Sequence, residues 1–507
     1  MNRSNFLIAA IFLAAAILRF ADVFRPINQA SWREADIGAI SRNFAQEGMN
    51  PLYPRIDWRG DGPGFAEMEL PLYPWLTALT YKIFGVHDQI ARVWAFLFSL
   101  GAMFFFFKLA RQYLSPFAAT IAFAFFSLNP LMVGIATAIQ PEGLMIFTYI
   151  TAVFLFIRWL RTDESKYFWT AATFTALTLL AKAPTAHIGL FFGVLLIEKY
   201  GLALFRRASV WAFALLSVLP SALWYFHAKN LWIVYGNSLG VSNEYHWIGW
   251  DFFTNLDFIS GILSLELAYV WISFGLIVGA FAIWQGYREE PARHALLWLA
   301  SVFALYLLAA RTTSEHWAFY YHVFSIPPVA LIFGFSIKKL WDYARDFADR
   351  YSLRGFPENL GRVFVILLII GAILASLRLE AKQVRWAFLD NRRWNPAMDF
   401  AERIQPLIGS KNLILVSGGP NRDPNGYQLA YNASYMFYWL EKKGWNTCVE
   451  EQTVPKIAEF RNKGAAAFVG EKKFMGETPT FESELRAVYP VTAESGDFIL
   501  FDLEHPL

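Results

Sequence analysis

Long apolar runs separated by short polar connections follow one another for most of the chain, each run approaching the roughly 20 residues that cross a bilayer. They lie near 6–22, 90–107, 117–133, 143–160, 168–183, 185–198, 209–226, 262–284, 295–310, 323–337 and 363–378, about eleven spans in all. The connections are unevenly basic. With the N-terminus ("MNRSN") inside, the inside loops are "KLARQYL", "RWLRTDESK", "EKYGLALFRRAS", "WQGYREEPARH" and "KKLWDYARDFADRYSLRG", nearly all rich in Lys and Arg. The outside connections "NPLMVGIATAIQPE" and "APTAH" have no Lys or Arg, and 227–261 has only Lys229. Basic residues favour the cytoplasmic side, so the pattern predicts an odd number of spans and an outer C-terminal region. A basic start and an apolar run also fit a cleaved signal peptide, but no small-x-small site follows before "RFADVFRP" and the first run is read as a span. In either case residues 23–70 lie outside.

Two regions are not spans. The first outer loop, 23–88, ends in "PLYPWLTALTYKIFG", too short and too interrupted by proline to cross; its aromatic residues suit a helix lying in the interface. From about 379 the composition turns mixed. There "NLILVSGG", "AAAFVG" and "FILFDL" read as strands, and "LAYNASYMFYWLEKKG", closed by its Gly, and "VPKIAEF" read as helices. "GGPNRDPNG" lacks phosphate-loop spacing and reads as a turn. The expected fold is a polytopic α-helical membrane protein, with 1–378 as the transmembrane module including loop 23–88, and 379–507 as a small extracytoplasmic α/β domain.

Composition agrees. Of 507 residues 56% are hydrophobic and 17% charged, with 49 Phe, 20 Trp and 22 Tyr, whereas soluble domains carry about a quarter charged residues. A net charge of +3 gives no reason to expect a nucleic-acid partner. One cysteine, Cys448, allows neither an internal disulfide framework nor a Cys-based metal cluster.

Candidate chemistry starts in "SWREADIGAISRNFAQEG", residues 31–48. Ser31 with Glu34 three residues on is a capping-box pattern, and Gly48 suits the far end, so a helix is predicted over 32–47. Ile37, Ile40 and Phe44 form a narrow apolar stripe, suited to lying on the membrane or the bundle. Glu34 and Asp36 fall in the first turn, where the helix dipole favours ionised carboxylates; a structural cap and a helix-start charge would explain both. Residues 55–69, "RIDWRGDGPGFAEME", add Arg55, Asp57, Arg59, Asp61, Glu67 and Glu69 to the same outer face, a density that points to a polar site. Glu142 opens a span after a proline, either as a helix-start charge or as a ligand. Lys182 ends a span on the outer side, against the charge bias unless it snorkels. His316, Tyr320, Tyr321 and His322 crowd another outer end. Charges at bundle mouths are functional hypotheses by default.

These phrases, taken in order, resemble the GT-C class of membrane glycosyltransferases, in particular the group of protein O-mannosyltransferases and lipid A aminoarabinose transferases (glycosyltransferase family 39-like). A family phrase like "DEAYYALIARNM" is met by "READIGAISRNF", one like "KPPLYYWL" by "ELPLYPWLTALTYKIFG", an Arg in the next helix by Arg92, an acid opening a later span by Glu142, and "LAKGP" by "LAKAP" with Lys182. The resemblance is best over the first 200 residues. Two positions depart from it. The family's first acid falls on Arg33, leaving Glu34 and the added Asp36 as alternatives for the base; the lysine of the Lys-Pro-Pro phrase falls on Glu69, so that phosphate contact has to come from Arg59 or Arg33.

The resemblance implies a GT-C-like bundle in the bacterial inner membrane that takes a sugar from a polyprenyl-phosphate donor to a hydroxyl of a lipid, glycan or protein acceptor on the outer face, with inversion. That reaction needs a carboxylate to take the acceptor's proton, here Glu34 or Asp36. It needs cations for the leaving phosphate, with Arg33, Arg59 and Lys182 as candidates beside Glu69, Glu142, Tyr321 and His322 as substrate contacts. A divalent metal is compatible with this chemistry, but no ligand spacing commits to one. A transporter would show repeats and mid-span charges. No repeat is evident, and the charges sit at outer ends.

Overall fold

The computed structural model describes residues 3–28, 32–240, 252, 254–271, 275–285, 288–308, 313–350, 395–409 and 413–507 apart from 425 and 427, with isolated helical positions between 360 and 378. Ser31, the expected cap, lies outside the described residues. The first 240 residues give α1 (Arg3–Phe20), α2 (Trp32–Glu47), α3 (Leu72–Phe84), α4 (Asp88–Tyr113), α5 (Pro116–Leu128), α6 (Pro130–Gly134), α7 (Glu142–Thr162), α8 (Ser165–Ala181), α9 (Ile188–Tyr200) and α10 (Ala208–Tyr235). The strands are β1 (Ala66–Glu67), β2 (Asn237–Ser238), β3 (Leu413–Ser417), β4 (Gly444–Thr447), β5 (Ala465–Glu471), β6 (Val491–Glu494) and β7 (Phe498–Asp502). The chain divides into two compact units, one of Met1–Val23, Ala95–Ala222 and Trp247–Phe388, the other of Phe24–Trp94, Leu223–His246 and Leu389–Leu507.

The fold is mostly helical and multi-pass. Among the described residues six segments are long and apolar enough to cross a membrane: Asp88–Tyr113, Glu142–Thr162, Ala183–Arg206, Ala208–Tyr235, Glu290–Leu308 and Ala318–Tyr343. α1, α5 and α8 occupy the expected runs 6–22, 117–133 and 168–183 but are shorter than a full span. α5 stops because Asn129 accepts hydrogen bonds from the Leu131 and Met132 amides and Pro130 opens α6, so the sequence starts a new helix there. The run 262–284 is also divided: helix Leu256–Leu265 passes into a π-helix, Glu266–Trp271, and Gly275–Gln285 follows. In the run 363–378 nine positions are described, all of them helical.

Within the first unit, Arg19 ends α1 buried, donating to Ser99 Oγ (3.0 Å) on α4 and to the Ser127 carbonyl (2.8 Å) on α5. Helix Ile326–Arg350 approaches α5 so closely at Gly334 that a Cβ there would stand 2.4 Å from the Ala118 carbonyl oxygen, a small-residue contact of the kind that brings membrane helices together.

Within the second unit, β1 pairs in parallel with β2. The tail forms a five-stranded sheet in the order β4-β3-β5-β7-β6, with β3 parallel to β4 and β5, and β7 antiparallel to β5 and β6. Alternation puts Ile414, Val416, Val469 and Leu500 on one face, against helices Pro396–Ile408 and Ser434–Leu440. Leu415, Phe468, Ile499 and Phe501 line the other, against Val454–Asn462 and Phe481–Val488. The helix expected from "LAYNASYMFYWLEKKG" is reduced to Ser434–Leu440: Glu441 takes a left-handed conformation and Gly444 opens β4 instead of closing a helix. The short β4 and β6 carried no strand pattern.

Helix α2 runs over the expected residues, but its environment corrects the expectation of a surface stripe. All of Glu34 to Phe44 is buried, the polar positions included, because α3 and helix Ser434–Leu440 both pack on it. At Gly38 a Cβ would lie 2.8 Å from Ile27 Cδ1 and 3.0 Å from the Tyr438 ring.

Candidate functional site

In the second unit the predicted acids stand in very different surroundings. Glu34 accepts two hydrogen bonds from Arg92, at 3.1 and 3.3 Å. Arg92 is fully buried at the start of α4 and also donates to the carbonyls of Arg25 (2.5 Å) and Pro26 (3.1 Å). This is a paired, bidentate carboxylate. Two residues on, Asp36 is 0% exposed. Its Oδ1 accepts from Trp58 Nε1 at 2.8 Å, and its Oδ2 has no hydrogen-bond partner among the described residues. Burial pushes this carboxyl up to about 7, against the lowering effects of the Trp58 N–H and of Arg33; Asp57 adds to the rise and Ser434 slightly opposes it. The Ser434 hydroxyl itself donates to the Trp32 carbonyl at 2.7 Å, holding the first residue of α2.

The two departures from the family phrases meet each other. Arg33, where the family has an acid, pairs with Glu69, where the family has a lysine, so both signs are reversed together. Arg59 does not join them: it forms a two-point ion pair with Glu47 at 2.8 and 2.9 Å. Asp57 is buried among Arg42 (2.5 Å), Asn43 (2.8 Å) and Lys443. Burial alone would raise its carboxyl, but Arg42 and Lys443 hold it below the ordinary carboxylate range. Arg42 also donates to the Tyr438 carbonyl (3.0 Å) and lies 4.9 Å over its ring. Sequence reasoning did not single out Trp58, Arg42, Ser434, Tyr438 or Lys443. A tryptophan inside the charged phrase "RIDWRGD" was the one local signal; the tail residues gave none.

In the first unit Glu142 opens α7 directly after Pro141, and Lys182 follows the last turn of α8. The two form a buried ion pair. The Lys182 ammonium lies 4.3 Å from the Tyr321 ring centroid and 4.7 Å from that of Tyr320, and Glu142 Oε2 has no hydrogen-bond partner among the described residues. His322, predicted beside Tyr321 as a substrate contact, is 0% exposed with both ring nitrogens engaged, Nδ1 with Glu266 (2.7 Å) and Nε2 with the Thr313 carbonyl (2.9 Å). Glu266 also accepts from Trp271 Nε1 at 3.1 Å. It is a lone acid in an apolar run, a signal the sequence did carry. Among the described residues no three of His, Cys, Asp and Glu gather as a metal-ligand set.

Over nearly its whole length the chain superposes on solved glycosyltransferases of the GT-C class. Against ArnT from Cupriavidus metallidurans in the apo state the TM-score is 0.64 at 13% identity, covering 98% of this chain and 97% of that one; the same protein bound to undecaprenyl phosphate gives 0.63 at 13%, with the same coverage. The archaeal oligosaccharyltransferase AglB from Archaeoglobus fulgidus, in complex with an inhibitory peptide and a dolichol-phosphate, gives 0.58 at 11%, covering 98% of this chain and 74% of that one. At these identities the likeness is one of fold. Residues 63–225 match the family model of dolichyl-phosphate-mannose-protein mannosyltransferases, so the resemblance read from the sequence holds in both comparisons. No curated protein sequence matches the chain.

Proposed function

We propose that the protein transfers a sugar from a polyprenyl-phosphate-linked donor to a hydroxyl of a glycan, lipid or protein acceptor at the outer face of a bacterial inner membrane, inverting the anomeric carbon, with Asp36 as general base. The same reading carries about eleven spans within 1–378 and an extracytoplasmic α/β domain at 379–507. The lipid phosphates bound by ArnT and AglB support a donor of this kind.

The observation that carries the choice of base is the contrast between neighbouring acids. Glu34 is committed to Arg92, and the place of the family's first acid is taken by Arg33, itself paired with Glu69. Asp36 has an oxygen without a hydrogen-bond partner among the described residues and a proton affinity near neutrality, the condition in which a carboxylate both accepts a proton and releases it. In the reaction Asp36 removes the acceptor's proton, the acceptor oxygen bonds to the anomeric carbon, and the bond from that carbon to the phosphate oxygen breaks, its electron pair leaving with the phosphate. Because Asp36 is sealed from solvent, this reading requires its cover to open when the acceptor binds. Glu142 and Lys182 keep the donor-binding roles that the resemblance gives them, with Tyr321 beside the lysine and the lysine meeting phosphate charge.

The test is transfer by the purified protein from labelled polyprenyl-phosphate sugars. Asp36→Asn is expected to lower transfer by roughly a hundredfold or more without loss of the folded protein. Full transfer by Asp36→Asn would refute the assignment.

A further inference from the structure

We propose that Trp58 is a positioning residue for Asp36, and that the C-terminal tail acts on the reaction through this indole. The inference rests on the reading of Asp36 as the base. Trp58 is held from three directions within the second unit. Its side chain packs against the core that the sheet residues Ile414 and Val416 share with Met436 and Phe437 of helix Ser434–Leu440. Its backbone is bracketed by hydrogen bonds to the first residue of β4: the Gly444 amide donates to the Asp57 carbonyl (3.2 Å) and the Gly60 amide to the Gly444 carbonyl (2.6 Å). Its Nε1–H is the hydrogen-bond donor to Asp36.

A carboxylate rotates freely about its last bond unless something fixes it, and a base is effective only when its lone pair meets the incoming proton in line. By binding Oδ1, the indole leaves Oδ2 as the basic oxygen and sets its direction. The N–H also favours the ionised form, partly offsetting the cost of burial. The charged and titratable groups bearing on the same carboxyl are Arg33 on its own helix and Asp57 in the loop, with Ser434 from the tail; beyond them Arg42 and Lys443 hold Asp57 ionised, and Tyr438 lies against Gly38. Trp58 is therefore the link through which the packing of the sheet reaches the reacting atom, and a tail without a catalytic motif of its own takes part in catalysis.

The experiment compares the full-length parent, Trp58→Phe, and a protein carrying 3-benzothienylalanine at position 58, which keeps the shape of the indole and lacks the N–H. Transfer is measured as kcat, donor KM and a pH profile. The expected result is a fall in kcat of about tenfold, the scale of one hydrogen bond to a charged group, with donor KM little changed and the acid limb of the profile moved to higher pH. A parent-like kcat and pH profile in the benzothienyl protein would overturn the inference even if Trp58→Phe fails to fold. Asp36→Asn run in parallel separates the two levels: if it is inactive while the benzothienyl protein matches the parent, the positioning role alone falls; if it is fully active, the assignment of the base falls first.

Discussion

Replacing Asp36 with Asn should make the protein more stable while it disables it. The carboxyl is fully buried and sits at about 7, where an ordinary aspartate has 3.8. A folded value above the unfolded one means that between about pH 4 and 7 the folded protein binds more protons than the unfolded chain, so stability falls as pH rises through that window. At 1.36 kcal/mol per pH unit the displacement corresponds to about 4 kcal/mol lost once the group is ionised. An asparagine keeps the acceptor for the Trp58 N–H and never ionises. The assay is thermal unfolding of the detergent-purified parent and Asp36→Asn from pH 4 to 9. The two melting temperatures should nearly coincide at pH 4, diverge progressively as pH rises above that, and differ most above pH 7, with the variant higher. A difference that does not change with pH, or a variant that melts lower at pH 8, would refute the account of a strained, unpaired acid. Such an exchange of stability against activity is what a working site usually shows.

Three further outcomes follow from the same geometry. Glu34→Gln leaves the buried Arg92 guanidinium without its counter-charge and should cost about 3 kcal/mol, read as a lower melting temperature; a variant as stable as the parent would show that the pair holds nothing. Asp57→Asn leaves Arg42 and Lys443 with only their longer contacts to Glu441 (3.8 Å) and Glu47 (3.6 Å) and should cost about 3 kcal/mol, measured in the same way. Arg33→Asp sets two carboxylates together and Glu69→Lys sets two cations together; both should lower the melting temperature, and the double variant should recover most of the loss. A double variant no better than the two single losses added would refute the pairing.

What the sequence made legible was local. Helix α2 lies over the predicted residues because its acids and its far glycine are local chemical signals at its two ends, and the strands of the tail were visible where a short apolar run marked them. The surroundings of α2 were not, because they come from far along the chain: Arg42 meets Tyr438 across 396 positions, and a periodicity reading sees polar residues there and calls the face exposed. The π-helix within 262–284 was not foreseen for the opposite reason. The composition of that run suits a span, and only the lone Glu266 signalled that the helix changes there. At the site, the two departures from the family phrases looked like separate defects until the structure showed Arg33 and Glu69 paired with each other. Which of two acids is free to accept a proton depends on where Arg92 and Trp58 come to rest, and spacing in sequence does not fix that.

The burial of α2 under residues near position 440 has a consequence for biosynthesis. The ribosome makes the first loop hundreds of residues before it makes the segment that covers it, so throughout translation Asp57 lacks Lys443 and Trp58 lacks the surface it leans on. A nascent chain whose bundle is already inserted still holds an unaimed acid. If Asp36 is the base, only a polypeptide translated past Lys443 holds that acid in its aimed position.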